Sequence, residues 1–137
     1  MTTFVDTNVV IYLLDSQSQF HDWSFTEFTK AREQGPVILP DIAYAELSIG
    51  MESKEATDEA LAELFLERLP CSDASLYRAG RAFIKYRDEN KGTKANVLPD
   101  FLIGAQAEVM GAPLLTANEA DFLKYFSTIK LITPVSS

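Results

Sequence analysis

Four acids of this 137-residue chain stand where apolar runs of the sequence end or resume. Asp6 closes TTFVD, Glu46 lies within DIAYAELSIGM directly after the apolar VILP, Asp100 follows Pro99 at the head of DFLIGAQAEVM, and Asp121 comes after APLLT. In open α/β sheets ligands bind outside the carboxyl ends of the strands, so acids at such element ends can meet on one rim. Carboxylates gathered without cations repel one another, and a converging set therefore calls for a hard divalent cation with oxygen ligands. Spacing alone does not establish the convergence, and each acid has a plainer use. Asp6 can cap a helix, Asp100 can favour a helix N-terminus through the backbone dipole, and Asp121 can be a surface acid. Glu46 shares helical spacing with Ala43, Leu47 and Gly50, a stretch that faces the core, where a carboxylate needs a metal or a salt-bridge partner.

The elements that would carry these acids follow from periodicity and punctuation. TTFVD is a short β-rich run, and TNVVIYLL continues with Val9, Tyr12 and Leu13 at helical spacing, giving strand, turn, helix. Phe20 to Glu33 is a second helix closed by Gly35-Pro36, and VILP is a buried strand. A helix then starts with Asp41 as its expected cap. Glu55 to Arg68 reads as helix with Leu61, Leu64 and Phe65 inward, and Leu69-Pro70-Cys71 as a link or strand. Asp73 is expected to cap a longer helix running to about Glu89, with Leu76, Gly80, Phe83 and Ile84 on one face. NKGTKANVLP is loop-like, and Pro99 opens a helix that Gly111 ends. Gly104, Ala105 and Ala107 allow that helix to pack closely. APLLT, ANEADFLKYF and IKLITP read as strand, short helix and strand. Short continuous apolar strands alternating with helices predict an α/β fold, with a central parallel sheet covered on both faces. Nothing divides residues 1–137 into more than one domain.

At 47% hydrophobic, the chain has apolar content enough for one core. No apolar run reaches the ~18 residues a membrane span needs, and MTTFVDTNVV lacks a basic region ahead of an apolar one, so a cytoplasmic protein without a membrane partner is expected. The single cysteine, Cys71, can form no internal disulfide and is expected to be a buried small residue. A net charge of −8 argues against gripping nucleic acid over the whole surface. The charges are unevenly placed. Six of the twelve basic residues, Arg78, Arg81, Lys85, Arg87, Lys91 and Lys94, fall in one stretch, while Asp41 to Glu67 holds eight of the twenty acids. His21, in FHDWSF, reads as a surface or partly packed residue. Phe20, Trp23, Phe25 and Phe28 cover more than one helical face, so most are expected in the core and the excess leaves part of that helix for a partner.

FVDTNVVIYLL, YAELSIG, LPDFLIGAQA and LLTANEADF, in that order, resemble the sequence blocks of PIN domains, especially VapC-type toxins, over essentially the whole chain. The resemblance implies a three-layer PIN-like fold and a Mg²⁺- or Mn²⁺-dependent endoribonuclease that leaves 3′-hydroxyl and 5′-phosphate ends. Matched block by block, Asp6, Glu46 and Asp100 fall on the first three metal-binding acids and Asp121 on an acid of the last block. Thr7 and Asn8 fall on the polar pair after the first acid, and Thr116 on the polar residue before the last acids. Many relatives carry Asp where this chain has Asn118, so the last block offers Asn118, Glu119 and Asp121 as candidates. Asn118 keeps an amide donor and acceptor with which to orient a water or a phosphate. The same resemblance implies a homodimer that binds a small antitoxin, whose basic residue reaches the acidic site.

Two other readings stand beside this one. A phosphatase with an aspartyl nucleophile also puts Asp at the end of a first strand, but such enzymes usually carry a second acid two residues later, where this chain has Asn8. A PIN-fold RNA- or protein-binding module with a degraded active site is supported by Asn118 alone.

Overall fold

The triplets Thr3–Val5 and Val37–Leu39 and the pair Leu114–Leu115 are buried at every position, as expected of strands covered on both faces. The computed structural model describes residues 1–90 and 97–134, without the side chains of Asn90 and Asp121. Most of the loop-like NKGTKANVLP, with Lys91 and Lys94, lies outside the described residues. In chain order the elements are β1 Thr3–Val5, α1 Thr7–Leu14, α2 His21–Gln34, β2 Val37–Leu39, α3 Asp41–Ile49, α4 Lys54–Glu63, β3 Glu67–Arg68, α5 Asp73–Asn90, α6 Leu98–Met110, β4 Leu114–Leu115, α7 Ala120–Leu123 and β5 Leu131–Ile132.

The strands form one parallel sheet in the order β3-β2-β1-β4-β5, with Phe4 opposite both Ile38 and Leu114. The chain steps outward from β1 through β2 to β3, then crosses back by way of α5 and α6 to β4. Because parallel crossovers are right-handed, reversing the direction of travel puts the later helices on the opposite face. This is the three-layer α/β arrangement expected from the sequence. The strand order reverses between β1 and β4, which makes their carboxyl ends the topological switch point.

The core joins Phe4, Val5, Leu39, Leu114 and Leu115 of the sheet to Phe101, Ile103, Ala105 and Ala107 of α6 and to Phe122 and Phe126. The small residues of α6 are used as the sequence suggests. A Cβ on Gly104 would lie 2.7 and 2.8 Å from ring carbons of Phe126, a side chain only 1% exposed. Gly104→Ala should therefore cost about 1–3 kcal/mol of stability, the usual range for overpacking a core. Urea unfolding measures it; an unchanged midpoint would show that Phe126 can give way.

Several local expectations change. Asp6 caps α1, but Asp41 does not cap α3. Pro40 holds the cap position without a side-chain bond, and Asp41 instead pairs with Arg68 and accepts the Cys71 amide, tying α3 to the chain beyond β3. Ser72 rather than Asp73 caps α5, its Oγ accepting the Ser75 amide. The helix expected to run to Arg68 stops at Glu63. There the Leu66 amide turns back to the Leu61 carbonyl, Phe65 passes through φ 55°, and the chain leaves as β3. Phe65 is consequently 66% exposed rather than inward. On α5 the buried residues are Ser75, Ala79 and Ala82, and Leu76 is exposed, so the inner stripe is rotated from the expected one. Cys71 is half-buried rather than buried, Gly50 is exposed, and of the aromatics from Phe20 to Phe28 only Phe28 is buried. His21 is partly packed, with Nδ1 2.8 Å from the Tyr12 carbonyl. Among the described residues no helix is long and apolar enough to cross a membrane.

Candidate active site at the switch point

β1 ends at Val5, and Asp6 follows in extended conformation as the N-cap of α1. This places its carboxylate at the carboxyl end of the sheet, where it is 4% exposed. One oxygen, Oδ1, accepts the Thr7 amide at 2.7 Å, and Oδ2 accepts the Thr116 hydroxyl, also at 2.7 Å. Thr116 directly follows β4, so this bond ties the two strands that flank the switch point. Thr7 Oγ1 in turn donates to Glu46 Oε1 at 2.7 Å, bringing in α3. On the other side the Asn118 amide donates to Thr116 Oγ1 at 3.0 Å, and Asn8 Oδ1 accepts the Ala117 amide at 3.3 Å. Asp6, Thr7, Glu46, Thr116 and Asn118 thus belong to one hydrogen-bonded network, with Asn8 fastening the loop after β4. Helix capping and membership of this network are compatible roles for Asp6, since each uses a different oxygen.

Asp100 lies in the first turn of α6. Because α6 runs back to the start of β4, its N-terminus stands at the same rim as Asp6. There Asp100 helps to wall a cavity of about 220 Å³ with Tyr86, Phe101, Ala120, Lys124 and Tyr125. Ala120 brings the start of α7 to this cavity, and Asp121 is the next residue; its side chain lies outside the described part of the structure. The remaining acid of that block, Glu119, accepts the Thr133 hydroxyl at 3.2 Å. Sequence reasoning did not single out Tyr86 or Lys124, since an aromatic and a lysine on helices carry no signal of a shared cavity.

Among the described residues no three His, Cys, Asp or Glu side chains are gathered closely enough to hold a metal ion together. What is gathered is the pair Asp6 and Glu46, bridged by Thr7, with Asp100 on the same rim. The chemistry of this set suits a hard cation: its acceptors are carboxylate oxygens, and neutral hydroxyl and amide donors hold two of them in place. Mg²⁺ commonly keeps several waters and is bound through one or two carboxylates rather than by a full protein cage.

A doubly wound parallel sheet with a buried carboxylate at its switch point defines a class of α/β proteins whose ligands bind at the strand ends. The model of the PIN domain matches residues 3–125, and the chain belongs to the PIN domain family. No protein of curated function matches it. Among solved structures it is similar to VapBC2 from Rickettsia felis bound to a DNA fragment from their promoter, at 20% identity and a TM-score of 0.74 over 97% of this chain and 98% of that one. It is similar to VapBC-1 from nontypeable Haemophilus influenzae, at 19% identity and a TM-score of 0.72 over 97% and 98% of the two chains. A toxin-antitoxin complex from Klebsiella pneumoniae matches at 22% identity and a TM-score of 0.63 over 98% and 99%. At these identities the likeness is one of fold.

Proposed function

We propose that this chain is a divalent-metal-dependent endoribonuclease acting as the toxin of a toxin-antitoxin pair. The observation that carries the reading is Asp6, a carboxylate 4% exposed at the switch point, bonded to Thr116 and linked through Thr7 to Glu46. Asp6, Glu46, Asp100 and Asp121 are the residues that would hold Mg²⁺ or Mn²⁺, directly or through water. When bound, such a cation supplies a hydroxide nucleophile at neutral pH and offsets the charge that builds on the phosphate. The chain's own residues keep the acceptors aimed. The Thr7 amide and Thr116 hydroxyl fix the Asp6 carboxylate, the Thr7 hydroxyl fixes that of Glu46, and donors already in place need no reorganisation during the reaction. Asn118, anchored through its backbone to Thr116, presents an exposed amide from which to orient a water or a phosphate oxygen. Positive charge at the reaction centre then need not come from the protein surface, which reconciles a net charge of −8 with an anionic substrate.

The likeness to structures solved as VapBC and toxin-antitoxin complexes supports an antitoxin partner, and a homodimer belongs to the same reading. A cleft lined by Ile11, Leu14, Leu47 and Met51 reaches Glu46 and suits an apolar partner segment carrying a basic residue. A monomer mass by light scattering at every concentration would contradict the dimer.

Total RNA incubated with the protein tests the activity. Cleavage to fragments with 5′-phosphate ends is expected in Mg²⁺ or Mn²⁺ and none in EDTA. Full cleavage in excess chelator contradicts the metal dependence. RNA binding without cleavage in any ion favours the degraded binding module instead.

A further inference from the structure

Away from the reaction centre, an acidic chain of net charge −8 can hold the phosphates of an anionic strand only where its few cations gather. Among the described residues Lys30, Lys54, Arg68, Arg78 and Lys124 are each paired with an acid. Arg32, Arg81, Lys85, Arg87 and Lys130 are in no ion pair there, and of these Arg81 and Lys85 form, with Glu89, one stripe of α5 at four-residue spacing. Beside this stripe stands Lys124, just past the end of α7. Its ammonium is 3.2 Å from the Glu89 carboxylate, which also accepts the Tyr125 hydroxyl at 3.0 Å. The ammonium groups of Lys85 and Lys124 lie 5.8 and 5.5 Å from the centre of the same Tyr125 ring. Glu89 is held below its ordinary carboxyl range, first by the hydrogen bond from Lys124, so it stays ionised and keeps Lys124 in place.

Lys124 and Tyr125 are also walls of the cavity that contains Asp100. Three aromatic rings wall the cavity, of which Phe101 and Tyr125 are buried and Tyr86 is partly exposed, standing edge-on to the other two with ring centres 5.8 and 5.9 Å apart. Its volume of about 220 Å³ is below the roughly 300 Å³ at which pockets for drug-sized ligands begin, room for one base or ribose rather than a larger group. An aromatic ring such as that of Tyr86 accepts any base through its π-face, while cations along a groove track the backbone.

We infer that this cavity is a substrate subsite, taking the base or ribose of one nucleotide next to the scissile phosphate of a single-stranded RNA while Lys124 and Lys85 hold the strand's phosphates. The inference rests on the ribonuclease reading and adds to it the side from which the strand enters, along α5 toward Asp100.

Anisotropy of a short fluorescein-labelled single-stranded RNA of mixed sequence, in EDTA so that the strand stays intact, tests it. The Lys85→Ala, Lys124→Ala double variant should bind roughly tenfold more weakly and flatten the dependence of log affinity on log salt by about 1.4, at ~0.7 for each phosphate no longer neutralised. The charge-matched double variant Lys30→Ala, Lys54→Ala should bind like wild type, and Lys124→Arg should bind nearly as well. In Mg²⁺ the Lys85, Lys124 variant should raise KM for RNA more than it lowers kcat. Wild-type protein that binds RNA while the double variant binds equally well with the same salt dependence overturns the subsite and leaves the nuclease reading standing. A wild type that cleaves RNA in Mg²⁺ but does not bind it in EDTA overturns the subsite alone, and one that never cleaves in any ion overturns the nuclease reading and the subsite with it.

Discussion

Asp100→Asn should lower RNA cleavage by at least about a hundredfold while raising the melting temperature measured in EDTA. The substitution keeps the shape of the side chain and removes one charge from the rim that carries Asp6 and Glu46. Without metal, like charges on one rim work against the fold, so neutralising one relieves it. With metal, the lost oxygen anion misplaces the cation, and a misplacement of about 1 Å can itself cost a hundredfold. If Asp100 only favoured the N-terminus of α6, Asn would cost roughly 0.3–1 kcal/mol and leave cleavage intact. The two roles therefore differ in sign for stability as well as in activity. A variant that is less stable in EDTA and still cleaves at the wild-type rate would remove Asp100 from the site.

Asp6→Asn should be as damaging to activity, by about a hundredfold or more, but with the opposite effect on the fold. Asp6 uses one oxygen on the Thr7 amide and the other on the Thr116 hydroxyl, which itself accepts the Asn118 amide. An asparagine can keep only one of these as an acceptor. Its NH₂ would face Thr116, whose hydroxyl proton then loses its acceptor in a region where both residues are buried. Leaving a buried donor unmatched costs about 1–3 kcal/mol, so the melting temperature should fall even in EDTA. Thermal melts of the two variants side by side separate a residue that organises the switch point from one that mainly adds charge to it.

The sheet was legible because its central strands are buried on both faces and read as continuous apolar runs, and Asp6 because such a run ends on it. The edge strand β3 was not, since Glu67 and Arg68 are exposed and charged, and only pairing with β2 makes them a strand. Nothing local signalled that the helix before it would stop at Glu63 and throw Phe65 outward. The resemblance named Asp6, Glu46 and Thr116 one by one. The bonds that unite them join residues 110 and 39 positions apart, and they follow from the pairing of β1 with β4 and the packing of α1 on α3. Lys124 and Tyr86 illustrate the other limit, because each is an ordinary helix-region residue until α5, α6 and α7 enclose a cavity between them.

That the switch-point rim holds a divalent cation is tested most directly by Mn²⁺ binding to EDTA-stripped protein, followed through the electron paramagnetic resonance signal of the free ion. The wild type should take up Mn²⁺, Mg²⁺ should compete for it, and Asp6→Asn and Asp100→Asn should each lose most of the uptake. A wild type that leaves all the Mn²⁺ free, or an Asp6→Asn protein that binds as well as wild type, would contradict it.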